Sequence, residues 1–182
     1  MNALIINASP VRDGATAEIV RVAADALRSR FDVRALCIDD FAIGMCRGCR
    51  SCHRTGACVQ SDGAQVLMAA FEAADAIVCV SPAYWMDVPA QFKAFIDRCT
   101  PWCDAHEPHA ALSPGKSGYV IALRTGPGPR DCQRVIETVE HFYGHLGIAR
   151  TGRLGLTGIE GRADIAPRVP DILEFCETVQ GG

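Results

Sequence analysis

Long apolar stretches are missing from this 182-residue chain: the longest uninterrupted run, Val66–Phe71, has six residues. A membrane-spanning helix needs about 20, so no span is expected. An excess of basic charge is missing too. Eighteen Lys and Arg against 21 Asp and Glu leave a net charge of −3, which gives no electrostatic case for nucleic acid or an anionic membrane surface. Neither a Walker A motif nor Gly-x-Gly-x-x-Gly occurs, which argues against a nucleoside triphosphate or a Rossmann dinucleotide. The opening Met-Asn-Ala-Leu-Ile-Ile-Asn carries neither a basic leader nor a small-residue cleavage site, so a cytoplasmic protein is expected. Low complexity is excluded as well, because 49% of the residues are hydrophobic and 21% are charged.

What is present is an alternation. Apolar runs at Ala3–Asn7, Phe31–Ile38, Asp75–Ser81, Lys116–Leu123 and Arg150–Leu156 read as strands. Between and after them, helical spacing appears at Thr16–Arg30, from an Asp62 cap to Ala74, at Ala90–Cys99, at Asp131–Leu146 and at Pro170–Val179. Five such alternations predict an α/β fold: a five-stranded parallel sheet with helices on both faces. Residues 1–182 read as a single domain with a cysteine-rich insertion loop at about 41–61. Ligands of such sheets sit at the carboxyl ends of the strands where strand order reverses, so the loops after Asn7, Ser81 and Leu123 are the candidates.

Ser9-Pro-Val-Arg-Asp-Gly-Ala-Thr16 is small and polar, and it opens a helix. Its amides, the Ser9 and Thr16 hydroxyls and the helix N-terminus suit a phosphate monoester, although an ordinary turn has the same composition. Ser81-Pro-Ala-Tyr-Trp-Met-Asp-Val-Pro-Ala90 places Tyr84 and Trp85 in a stiff loop fit for a flat heterocycle, or for capping the core. Arg124-Thr-Gly-Pro-Gly-Pro-Arg130 offers further amides for the same ring.

The phosphate loop, Ser-Pro-Ala-Tyr-Trp within Val80–Trp85, and Gln91-Phe-Lys-Ala-Phe-Ile-Asp-Arg98 together resemble the NADPH-dependent FMN reductase family, over about residues 3–158. The resemblance implies a flavodoxin-like fold and an FMN-binding domain. It implies FMN phosphate at Ser9, Arg12, Gly14, Ala15 and Thr16, and the isoalloxazine at Pro82, Ala83, Tyr84, Trp85 and Met86 with Thr125 and Gly126. The family often has Arg directly after Ser-Pro and Asn before Thr; here stand Val11 and Ala15, with Arg12 as the substitute. Lys93 and Asp97, one helical turn apart, read as a structural pair, and no residue is assigned a catalytic proton transfer.

Ten cysteines are many for this length, and four of them, Cys46, Cys49, Cys52 and Cys58, fall within thirteen residues. The run Cys-x2-Cys-x2-Cys-x5-Cys resembles 4Fe-4S ligation more than the separated knuckles of structural zinc. Arg47, Arg50 and Arg54 accompany it without an acid between Phe41 and Ser61, and such cations offset the charge of a thiolate-bound cluster. The motif is similar to that of iron–sulfur flavoproteins, a branch of the same fold family, which implies all four as cluster ligands. Zinc, a redox disulfide and free thiols remain alternatives. Cys37, Cys79, Cys132 and Cys176, alone among apolar neighbours, read as small core residues. Cys99, Cys103, His106 and His109 form a looser group of metal-ligand types whose intervals match no standard zinc module; a lid or subunit contact is the default reading of their segment and metal binding the alternative.

The leading expectation is therefore an oxidoreductase in which FMN accepts hydride from NAD(P)H and passes electrons to a small acceptor or through a 4Fe-4S cluster. Alternatives are a flavin electron carrier reduced by a partner protein, or a thiol or metal redox sensor. Partners are expected to be a small-molecule or protein electron acceptor and further copies of the chain, as a homodimer or homotetramer, the latter from Trp102 and the Cys99–Leu112 segment.

Overall fold

A computed structural model describes residues 1–181. Its centre is a sheet of β1 (Asn2–Asn7), β2 (Asp32–Cys37), β3 (Ala76–Pro82), β4 (Ser117–Leu123) and β5 (Ala149–Leu156), in the order β2-β1-β3-β4-β5 with every pair parallel. The helices are α1 (Ala15–Leu27), α2 (Cys52–Thr55), α3 (Gly63–Ala73), α4 (Ala90–Arg98), α5 (Arg130–His145) and α6 (Val169–Glu177). This is the flavodoxin-like arrangement expected from the alternation of elements.

Strand alternation separates two cores. Leu4, Ile6, Ile77, Cys79 and Val120 face α3, α4 and α5, while Ala3, Ile5, Val78, Tyr119 and Ile121 face α1 and α6. The central strands are apolar throughout because helices cover both faces. On the first side, Phe95 lies 5.4 Å from Phe71 and 6.0 Å from Phe142 between ring centroids. One aromatic cluster thus joins three helices, and truncating Phe95 to Ala would cost about 3–5 kcal/mol. The edge strands β2 and β5 are largely exposed, unlike the continuous apolar runs that the sequence pattern predicts for every strand.

Element ends follow local chemistry. Asp62 accepts from Ala64 N at 3.0 Å and Gln65 reaches back to Asp62 N at 3.0 Å, the reciprocal cap expected at the start of α3. Pro170 sits in the first turn of α6, where its missing N–H costs nothing. Two features depart from the sequence pattern. The cysteine loop contains a one-turn helix, α2, stopped by Gly56 at φ +68°, and a 3-10 stretch at Arg162–Arg168 precedes α6. Cys79, Cys132 and Cys176 are buried as expected, but Cys37 is half-buried at a sheet edge, its thiol 3.5 Å from Ser9 O. No helix among the described residues is long and apolar enough to cross a membrane.

The chain runs from β1 outward to β2, then returns to the other side of β1 as β3. Strand order reverses there, at the carboxyl ends of β1 and β3, the place where open sheets of this kind bind their ligands. Asn7 pairs with Val80 and Pro82 pairs with Leu123, so the three candidate loops leave one edge of the sheet together.

Candidate functional site

The first loop is built on Asn7, whose Oδ1 accepts from Ser9 N at 3.0 Å; Ser9 Oγ in turn accepts from Val11 N at 3.1 Å. Both side chains are buried, as is Thr16 in the first turn of α1. Gly14 caps α1 with no side-chain hydrogen bond. The first-turn amides therefore lack a side-chain partner at the positive end of the helix dipole. A Cβ on Gly14 would lie 3.0 Å from Val11 Cγ1, so this small residue keeps the cradle open. Arg12 is placed differently from its neighbours. Its guanidinium hydrogen-bonds Asp40 and reaches Asp39 Oδ2 at 3.1 Å, which pins the loop to the turn after β2.

The second loop continues β3. Ala83 N donates to Leu123 O at 2.8 Å, tying this loop to the third. Tyr84 and Asp87 exchange backbone bonds of 2.8 and 3.1 Å around a turn whose centre is Trp85 at φ +51° and Met86 at φ +63°. Two successive non-glycine residues in the left-handed region cost on the order of 1–2 kcal/mol each, and such strain gathers at functional sites. Its effect is display: Trp85 is fully exposed and Tyr84 is 44% exposed, so neither serves mainly to cap the core. In the third loop, Arg124 donates to Gly128 O and pairs with Asp131 Oδ2, both at 3.1 Å. A Cβ on Gly126 would lie 2.4 Å from Arg124 Nη2, so glycine is what lets the loop fold over that guanidinium. Thr125 and Gly126 thus leave the sheet beside Pro82–Met86, since Pro82 pairs with Leu123.

The cysteine loop forms a second candidate centre. Gly48 at φ +61° and Arg50 at φ +55° flank Cys49, and Cys52 opens α2. These bends turn Cys46, Cys49, Cys52 and Cys58 toward one small cavity of about 30 Å³, lined also by Arg47, Arg50, Arg98 and a single acid, Asp97. No three of the four sulfurs lie within 4.8 Å of one another. Burial pushes the Cys52 thiol up, with Cys58 and Cys46 adding to the effect. Arg98, only 2% exposed, closes the loop: it donates to Gly44 O at 2.9 Å, to Asp62 Oδ2 at 2.6 Å and to Gln60 O at 3.0 Å, with Cys58 against it.

The segment after α4 packs over this loop. The His53 and His106 rings stack at 4.1 Å, and Pro108 lies against Gly56. Trp102 is partly buried against the aromatic core. The looser sequence group is divided: Cys99 joins the core, His106 faces His53, and Cys103 sits beside Asp104 and His145. Lys93 and Asp97 form the expected ion pair. Sequence spacing does not single out Arg98 as a clamp, although it closes the Gln91–Arg98 motif that carries the family resemblance.

The profile of the NADPH-dependent FMN reductase family matches residues 1–155. The chain belongs to that family. Within its wider kin, an iron-sulfur flavoprotein of Archaeoglobus fulgidus is 36% identical over 129 residues, 70% of this chain and 56% of the relative. The chain thus spans little more than half of that relative's length. An iron-sulfur flavoprotein of Methanosarcina thermophila is 23% identical over 188 residues, 94% of this chain and 95% of the relative. Among solved structures, an FMN-dependent NADH-azoreductase from Bacillus anthracis in complex with FMN has a TM-score of 0.69 at 16% identity, covering 97% of this chain and 98% of that one. At that identity the likeness is one of fold. This chain of the FMN reductase family therefore carries both three loops at one edge of the sheet and a four-cysteine cavity.

Proposed function

We propose that this chain is an FMN-dependent oxidoreductase that takes hydride from NAD(P)H and delivers electrons to a small or protein acceptor, with a 4Fe-4S cluster on Cys46, Cys49, Cys52 and Cys58. The observation that carries the reading is the convergence of four thiols on one cavity in a family whose crevice suits FMN. Bound FMN would supply hydride acceptance and release of electrons singly or in pairs, which no side chain here can do. The cluster would supply a one-electron exit.

The chain's own part is binding and positioning. The uncapped amides of α1, with the Ser9 and Thr16 hydroxyls and the backbone at Gly14 and Ala15, would hold the phosphate. The loop from Pro82 to Met86, stiffened by the Tyr84–Asp87 pairing, would hold the ring against Thr125 and Gly126. Arg47, Arg50 and Arg98 outnumber Asp97 around the four cysteines and would offset the anionic charge. Residues 1–182 would act as one domain, in a homodimer or homotetramer in the cytoplasm.

Heat release of the cofactor followed by mass measurement tests the first half. FMN is expected, and FAD or no flavin after reconstitution would overturn the assignment of the three loops. NAD(P)H oxidation with a small acceptor then separates this reading from a carrier reduced only by a partner protein.

A further inference from the structure

On the far side of the 99–112 segment lies a second set of donors that no reading of the flavin crevice or the cysteine cavity uses. Cys103 Sγ, an Asp104 carboxylate oxygen and a His145 ring nitrogen lie within 4.8 Å of one another. They come from two separate pieces of chain held in fixed relation. Asp104 N donates to His145 O at 3.2 Å, Cys103 N donates to Thr100 O at 3.0 Å, and His145 Nδ1 lies 2.7 Å from Asp104 Oδ1. His145 is the last residue of α5, so its backbone is set by the helix. One turn earlier on the same helix, the His141 ring stands edge-on with its centroid 4.6 Å from that of His145. Cys103, His141 and His145 share the wall of a cleft of about 670 Å³ between α4 and α5.

The geometry points to a binding site for a zinc-class divalent transition metal ion on Cys103, Asp104 and His145. Sulfur, imidazole and carboxylate together suit a borderline ion such as Zn²⁺ and exclude the oxygen-only preferences of Ca²⁺ and Mg²⁺. The donors are preassembled, so little ordering cost opposes binding. On coordination the Cys103 thiol gives up its proton to solvent, and the ion takes the place of the His145–Asp104 hydrogen bond. The consequence is a cross-link between α5 and the 99–112 segment. That segment carries His106, which stacks on His53 next to Cys52, so the ion would hold the covering segment over the cysteine loop.

The test is titration of Zn²⁺, and separately Co²⁺, into the full FMN-loaded chain and into Cys103→Ser and His145→Gln. These chains differ only at the proposed ligands, so the comparison stands whatever fills the cysteine loop. The wild type should bind one more ion per chain than either variant, or bind it at least about tenfold more tightly. Its Co²⁺ form should show a sulfur-to-metal charge-transfer band that Cys103→Ser lacks. Both positions are at the surface, and unchanged FMN content and far-UV circular dichroism confirm folding. Equal uptake and identical Co²⁺ spectra in all three chains would overturn the site.

Discussion

Arg98 and Asp62 form an ion pair of 2.6 Å in which the guanidinium is buried and the carboxylate also caps α3. The pair joins α4, the helix after the Pro82–Pro89 loop, to both ends of the cysteine loop, since Asp62 Oδ2 also accepts from Gly44 N at 3.0 Å. Breaking it strands a buried cation. Asp62→Ala should destabilise the fold by about 3–5 kcal/mol, read by chemical denaturation. Arg98→Met, which removes the charge and leaves packing, should cost less globally while loosening the loop, read as faster hydrogen exchange at Gly44–Asp62.

The same pair sets an acid limb. Burial alone would raise the Asp62 carboxyl, but hydrogen bonds from Arg98, Ala64 N and Gly44 N hold it below its ordinary value of 3.8. Because the folded value is the lower one, the stabilisation is present above the unfolded pKa and is lost as pH falls through the folded one. Stability should therefore fall below about pH 4, and Asp62→Asn should flatten that part of the profile. An unchanged acid limb in the variant would contradict the role given to Asp62.

The proposed phosphate loop holds two kinds of residue. Thr16→Val should weaken FMN binding by about tenfold, the worth of one hydrogen bond to a charged group, measured by flavin fluorescence quenching. Arg12→Ala should change it by less than about threefold, because that guanidinium is committed to Asp39 and Asp40 at the surface. A reversed order would show that Arg12 swings to the phosphate on binding.

Trp85 offers a dissociation of stability from function. It is fully exposed and left-handed, so Trp85→Gly should be neutral or stabilising by up to about 1 kcal/mol. FMN retention or the KM for the nucleotide should nevertheless worsen. A stability loss with unchanged kinetics would return Trp85 to a structural role.

The layering was legible because buried parallel strands leave apolar runs: the carboxyl edge of the sheet and the three loops could be placed from Ile5, Val78 and Ile121 and their neighbours. The four clustered cysteines were legible for the same reason, since their signal is local spacing. Arg98 was not, because its partners Gly44, Gln60 and Asp62 lie 36 to 54 residues away. His145 was hidden likewise: its neighbours Cys103 and Asp104 come from another element. Nor does spacing reveal that Trp85 and Met86 take positive φ, which the Tyr84–Asp87 pairing imposes.

The proposed function requires an FMN site and a cluster-binding cavity in one chain. Iron, sulfide and FMN content, taken with the visible spectrum of freshly purified, oxygen-excluded protein, tests it most directly. One FMN and about four irons per chain are expected, with Cys58→Ser losing the iron and its broad absorbance while keeping the flavin, and Cys79→Ser keeping both. Absence of stoichiometric iron after anaerobic reconstitution with iron and sulfide would contradict it, as would one zinc held at the four cysteines that resists replacement.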